Sequence, residues 1–290
     1  MYTFLVNPAA GNGRGQQVWN RVRKKLEKTS IPYQAEITSY AGEATEIARK
    51  LAEQPGIRAI VAIGGDGTVH EVGNGLVKTE IPLGYIPAGS GNDFASAHGI
   101  PSHPERALER ILRHQVRRID TAQVNNRMMI GFSGIGFDGK VAESVNSSSS
   151  KRWLGRFAYL AGAFQTWARF RPYQMTLVVD GQPFHYQGIW LIAVANIPNY
   201  GGGMLICPHA DSGDGLLDLC CVHSLTKARF LQIIPSVFRG AHIHHPSVSL
   251  HRGETFTITS DPPLPIHADG EIIGKTPATI RIHPQSLSIL

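Results

Sequence analysis

Cysteine is scarce in this 290-residue chain, which has only Cys207, Cys220 and Cys221. An odd count without a Cys-x-x-Cys pair excludes a disulfide framework and a thiolate zinc site, and a reducing cytoplasm is the expected compartment. Long apolar runs are missing as well. The longest, around Ile189–Ala195, falls far short of the roughly 20 residues that cross a bilayer. Residues 2–6 read as a strand, not a leader peptide. Charged residues make up 17% of the chain and apolar ones 42%, which excludes a disordered protein and leaves enough for sizeable cores. Acids are in deficit: 22 Asp and Glu stand against 28 Lys and Arg, for a net charge of +6. That excess suits nucleic acid, an anionic membrane surface or phosphorylated ligands, and does not choose between them.

What the chain has in plenty is glycine, and it gathers in turns after strands. The pattern over residues 1–120 alternates strand and helix. Strands are predicted at Thr3–Val6, Tyr33–Thr38, Ile60–Ile63 and Leu83–Ile86. Helices are predicted at Gln16–Lys28, Ala44–Glu53 and Pro104–Arg113, with another after Gly67. Such an order implies a parallel sheet with right-handed crossovers and a ligand at the carboxyl ends of its strands. Three of those ends carry unusual loops, at 7–13, 64–68 and 87–93.

The middle loop reads Gly64-Gly65-Asp66-Gly67-Thr68. Glycine permits positive φ and lets a ligand approach the backbone. Thr68 and Glu71 have capping-box spacing, so a helix is expected to open there. Free amides at a helix start bind anions, phosphate above all. No Gly-Lys-Ser/Thr follows these glycines and their spacing is not Gly-x-Gly-x-x-Gly, so neither common nucleotide fingerprint applies. An acid amid phosphate amides repels the anion unless a cation intervenes, which points to a magnesium nucleotide.

Beyond residue 121 the character changes. Asn125-Asn126 and Asp180-Gly181 are hairpin signals between short apolar runs, as expected of an antiparallel β domain. The expected division is 1–121 and 122–290. One helix is expected near Leu154–Phe170, with Trp153, Phe157, Leu160, Phe164 and Trp167 at helical spacing and arginines nearby. Core packing is the preferred reading of that stripe and a membrane-facing surface the other. His242, His244 and His245 read as a loop, not a metal site.

Several motifs occur in a fixed order: Asn7-Pro8, Gly64–Thr68, Gly89–Ala95, Gly134–Asp138, Asp211–Asp218 and His267–Glu271. Together they resemble the diacylglycerol kinase catalytic domain family, which includes soluble bacterial lipid kinases and is related to sphingosine kinases. The likeness covers nearly the whole chain. The Gly64–Thr68 motif alone also occurs in NAD kinases and phosphofructokinases, so the ordered set carries the resemblance. It implies an N-terminal Rossmann-like α/β nucleotide domain, a C-terminal antiparallel β-sandwich and an active site in the cleft between them. The implied reaction is ATP-dependent phosphorylation of a lipid hydroxyl, with diacylglycerol the first substrate. A sphingoid base, phosphatidylglycerol, a polyprenol or, further off, NAD are the alternatives.

By the same resemblance, Asn7, Pro8, Gly11, Gly13, Thr38, Gly64, Gly65, Asp66, Gly67, Thr68, Glu71, Ser90 and Asn92 line the ATP site. Asp66 acts there through Mg²⁺. Asp269 and Glu271 are the catalytic pair, either one the general base. Asp211, Asp214 and the backbone of Leu216 resemble a structural Mg²⁺ site, although relatives often carry lysine where Asp211 stands. The implied partner is a membrane lipid, met peripherally at the inner face of the membrane. Nucleic acid is not expected, and a homodimer through an edge strand is allowed.

Overall fold

The computed structural model describes residues 1–147 and 165–290. They form two compact units, and the first comprises Met1–Thr121, Asn199–Gly203 and His283–Leu290. Its strands are β1 (Tyr2–Val6), β2 (Tyr33–Ile37), β3 (Ala59–Gly64) and β4 (Leu83–Pro87). Between and after them run the helices α1 (Ala10–Leu26), α2 (Glu43–Ala52), α3 (Asp66–Leu76), α4 (Asp93–Ala97) and α5 (Pro104–Arg113). The strands pair in parallel in the order β2, β1, β3, β4.

Sequence explains these elements directly. β3 is buried at every position, and its run of alanine, isoleucine and valine suits a central strand covered on both faces. α1 turns Val18, Trp19, Val22 and Leu26 inward. α5 starts with Pro104 in its first turn and buries Ala107, Leu108 and Ile111, where the proline's missing N–H costs nothing. The register aligns Val6 with Ile63 and Ile63 with Ile86. The three glycine-bearing loops therefore leave the sheet at one level of its carboxyl edge.

The second unit comprises Ala122–Pro198 and Met204–Ile282. β5 (Arg117–Val124) leads into it, followed by β6 (Arg127–Met129), β7 (Phe132–Gly136), α6 (Phe137–Ser147), β8 (Tyr173–Val179), β9 (Gln182–Ala195) and β10 (Leu217–His223). Then come α7 (Lys227–Val237), β11 (Val248–Gly253), β12 (Thr255–Ser260), β13 (Pro265–Ala268), β14 (Glu271–Lys275) and β15 (Ala278–Ile289). β9 holds the unit together. It pairs antiparallel with β8, β7 and β10. Leu177, Ile192, Val194, Leu219, Phe256, Ile266 and Ile280 share one apolar core. Both expected hairpins form: Asn125-Asn126 joins β5 to β6, and Asp180-Gly181, at φ 47° and 83°, joins β8 to β9. Left-handed residues at such two-residue turns match the twist of the strands. Cys207, Cys220 and Cys221 are buried, and burial pushes the Cys220 thiol up to about 12.

Two features are not expressed by a single cut in the chain. Residues 199–203 belong to the first unit, and so does the end of β15, where Ile289 pairs in parallel with Leu83 of β4. Of the aromatic stripe expected near 154–170, Trp153, Phe157, Leu160 and Phe164 lie outside the described residues. Residues 165–169 are helical, and Trp167 Nε1 donates to the Lys227 carbonyl at 3.3 Å.

Candidate active site

At the carboxyl edge of the first unit's sheet, most glycines are there because nothing larger fits. A Cβ on Gly64 would lie 2.3 Å from Thr68 Oγ1, and one on Gly89 would lie 2.5 Å from Gly65 Cα. Gly11, at φ 57°, would meet the Ala88 carbonyl at 2.3 Å. The loops after β1, β3 and β4 thus press backbone against backbone. Gly67 differs: it is exposed, helical, and a Cβ there would meet nothing within 4 Å. Gly13 is equally open, at φ 90°. The leading amides of α3 have no intrahelical acceptors and sit at the positive end of its dipole. An anion can therefore approach α3 over Gly67.

Asn7 ties this edge together. Its Nδ2 donates to Thr68 Oγ1 at 3.1 Å, and its Oδ1 accepts from Ala9 N at 3.1 Å. The expected capping box does not form. α3 begins at Asp66, so Thr68 already lies inside the helix, and Gly65 caps it without a side-chain bond. Glu71 instead accepts from Ala44 N at 3.3 Å, fastening α2 to α3. Thr38 donates to the Val6 carbonyl at 3.2 Å, at the end of β2. Ser90 is exposed. Pro8 leads into the turn of α1, its carbonyl accepting from Gln16 N at 3.3 Å.

Asp66 reaches across to the loop after β4. Its two oxygens accept from Asn92 N at 2.7 Å and Phe94 N at 3.1 Å. Burial raises its carboxyl above the usual range, outweighing the pull of His70 and of those amides, with Asp93 adding to the rise. Asn92, at φ 58°, closes the loop on itself, its Oδ1 taking the Gly89 amide at 2.9 Å and the Tyr85 hydroxyl at 3.1 Å. Asp93 is a site residue that sequence reasoning passed over as a helix cap. Its carboxylate accepts from Asn199 Nδ2, Gly202 N and Gly203 N, each at 2.8 Å. A signal was legible: Gly201-Gly202-Gly203 is a glycine run that no helix or strand requires, and all three have positive φ.

The second unit carries the other two acids, and they are unlike. Asp269, at φ 51°, sits in the turn between β13 and β14. Its oxygens accept from Ile130 N at 2.8 Å, Gly131 N at 2.9 Å and Phe132 N at 3.0 Å. Glu271 opens β14, is exposed, and has no hydrogen-bond or ion-pair partner among the described residues. Beneath the turn, His267 Nε2 meets Asp138 Oδ2 at 2.9 Å, both buried. Gly134 makes room for that pair, since a Cβ there would lie 2.2 Å from Asp138 Oδ2. A rigid turn thus presents one carboxylate that is engaged and one that can take a proton.

The Asp211–Leu216 turn does not fit the structural magnesium expected there. Asp211 Oδ1 accepts from Gly213 N and Asp214 Oδ1 from Leu216 N, both at 3.0 Å. The other Asp214 oxygen pairs with the Arg252 guanidinium, whose Nε also reaches Asp218 Oδ2 at 3.4 Å. Among the described residues no group of three or more His, Cys, Asp or Glu is placed to hold a metal. The guanidinium supplies the positive charge that a cation would bring. His242 serves its loop, with Nε2 3.0 Å from the Ile206 carbonyl.

Comparison with known proteins follows the same division. Residues 1–124 match the family model described as the diacylglycerol kinase catalytic domain, and residues 131–290 match the YegS C-terminal NAD kinase beta sandwich-like domain. A diacylglycerol kinase of Mycobacterium tuberculosis is 32% identical over 298 residues, covering 99% of this chain and 94% of its own. A diacylglycerol kinase of Bacillus subtilis is 29% identical, covering 94% of this chain and 90% of its own. The crystal structure of a diacylglycerol kinase from Bacillus anthracis superposes with a TM-score of 0.76 at 23% identity, covering 99% of this chain and 95% of that one. Yeast NADH kinase, at a TM-score of 0.50 and 12% identity, shares the fold alone.

Proposed function

Because the chain belongs to the diacylglycerol kinase family over both of its units, we propose that it transfers the γ-phosphoryl group of ATP to the free hydroxyl of diacylglycerol, giving phosphatidic acid. The observation that supports this most is the open first turn of α3 at Gly67, in a chain matched from end to end by diacylglycerol kinases.

Phosphoryl transfer asks a protein chiefly to position phosphates and spread charge. The amides leading α3 and the loops at Gly11–Gly13 and Gly89–Gly91 would receive the phosphates. Glu271 would accept the proton of the lipid hydroxyl as its oxygen bonds to the γ-phosphorus and ADP departs. Asp269 would hold the turn that carries Glu271. Mg²⁺, when bound on the ATP phosphates, supplies charge neutralisation. Every oxygen of Asp66 and Asp93 already takes an amide, so neither is a bare ligand for that ion. The lipid would be met at the bilayer surface, since among the described residues no helix is long and apolar enough to cross a membrane.

The test is incubation with γ-labelled ATP, Mg²⁺ and a panel of lipids in mixed micelles, with the products separated. Label in phosphatidic acid, absent with Glu271→Gln, is the expected result. Label in another phosphorylated lipid would keep the chemistry and change the acceptor. Conversion of NAD to NADP without lipid labelling would overturn the proposal.

A further inference from the structure

We propose that the outer face of α7, with the adjoining segment 165–171, docks onto an anionic bilayer surface. α7 turns Phe230, Ile233 and Val237 inward, with Phe230 stacked on Trp190 at 4.2 Å. Its other side leaves large apolar groups in water: Leu231 is 38% exposed and Phe238, at its C-terminal end, 52%. Arg229 and Arg239 stand exposed beside them. Segment 165–171 lies against the start of this helix, where Lys227 Nζ donates to the Ala168 carbonyl at 2.6 Å, and it adds exposed Arg169 and Arg171. None of these four arginine side chains has a hydrogen-bond or ion-pair partner among the described residues. From Leu219 to Gly253 the chain contains no Asp or Glu.

Four unneutralised guanidinium groups around two protruding apolar side chains match one environment closely: anionic headgroups over an acyl layer. A second copy of this chain is a poor occupant, because an isologous interface would set arginine against arginine. The inference rests on the kinase reading in one respect, that a lipid acceptor lies in a bilayer which the protein must reach from water.

The experiment is co-sedimentation with vesicles of phosphatidylcholine, alone or mixed with phosphatidylglycerol, without diacylglycerol or nucleotide. The protein is expected to bind the anionic vesicles, to ignore the neutral ones, and to be released by salt. Arg229→Gln with Arg239→Gln should weaken binding about 30-fold, at about fivefold per basic residue. Phe238→Ser should weaken it about tenfold and leave the salt dependence in place. All three positions are exposed, so thermal unfolding should barely move. Phosphorylation of a short-chain, monomerically dissolved diacylglycerol should be unchanged in these variants, while phosphorylation in anionic vesicles falls with binding. Binding indifferent to anionic lipid, or variants that bind as tightly as the unaltered protein, would overturn the proposal. So would a dimer in solution that Phe238→Ser converts to monomer. Should no lipid be phosphorylated at all, the kinase reading fails, and the vesicle measurements still decide the docking face.

Discussion

Replacing Gly67 with alanine is expected to stabilise the fold and to weaken ATP binding. Gly67 is the second residue of α3, exposed, and an added methyl meets nothing within 4 Å. Alanine is favoured over glycine in a helix interior by about 0.8–1.0 kcal/mol, and less in a first turn. Taking about half of that, the midpoint of thermal unfolding should rise by about 1–2 °C. The same methyl would stand where phosphate oxygens approach the α3 amides. Displacing them forfeits a hydrogen bond to a charged group, about 1.5–3 kcal/mol, or about 10- to 100-fold in ATP affinity. Gly64→Ala is the control, because its methyl would lie 2.3 Å from Thr68 Oγ1. Overpacking of that kind costs about 1–3 kcal/mol, so its unfolding midpoint should fall. Calorimetric titration with ATP and Mg²⁺, alongside thermal unfolding, reads both quantities. A Gly67→Ala protein that is stabilised and binds ATP normally would refute the placement of phosphate on α3. One that is destabilised would refute the account of the space around Gly67.

Asp269→Asn should lower stability by about 1–3 kcal/mol in urea unfolding, since an amide nitrogen would face backbone N–H donors, whereas Glu271→Gln should leave stability alone and reduce single-turnover phosphorylation by about 10²–10⁴; the reverse pattern would exchange their roles. Asp93→Ala should cost about 3 kcal/mol for three lost bonds to a carboxylate, and a loss under 1 kcal/mol would show that the 199–203 segment is held by other means. Burial, aided by Arg117 and Arg110, lowers His98 from 6.5 to about 3, so the folded chain refuses a proton that the unfolded chain takes. The stability His98 contributes is therefore full above pH 6.5 and is lost as pH falls toward 3, by about 1.4 kcal/mol per pH unit; unfolding of His98→Gln should show a shallower slope over that window. Arg252→Met should lower the unfolding midpoint modestly, by about 0.5–1 kcal/mol for a part-exposed pair, and EDTA should not move it; a shift with EDTA would restore the metal reading of the Asp211–Leu216 turn.

Much of the fold was legible because it is local. β3 announces itself by four apolar residues ending in glycine, and α5 by Pro104 with Ala107, Leu108 and Ile111 on one face. The hairpins at Asn125 and Asp180 follow from residues that accept left-handed φ. What was not legible is non-local. The pairing of Ile289 with Leu83 joins positions some two hundred residues apart, and no period in either segment encodes it. The tether of Gly202 and Gly203 to Asp93 is equally remote. The capping box failed for a related reason. Thr68 has the right neighbour three residues on, but Asn7 from another strand claims its hydroxyl, and Glu71 finds the start of α2 instead.

The acids are where sequence reasoning and structure part most instructively. Asp66, Asp211, Asp214 and Asp269 all stand next to or within two residues of glycine, and each read as chemistry. Each proves to accept backbone amides: two for Asp66, one apiece for Asp211 and Asp214, three for Asp269. The cause is common to all four. A glycine-rich turn leaves the ladder of helix or sheet, so its amides lose their regular acceptors, and a buried amide without one is costly. Aspartate is the shortest side chain that brings two acceptor oxygens to such a turn. The residue pattern that builds an anion site is therefore the same one that satisfies a turn, and spacing cannot separate them. Accounting for each oxygen can. It leaves Glu271 as the carboxylate of its turn with no hydrogen bond or ion pair among the described residues, and on that ground the transferable proton is assigned to it.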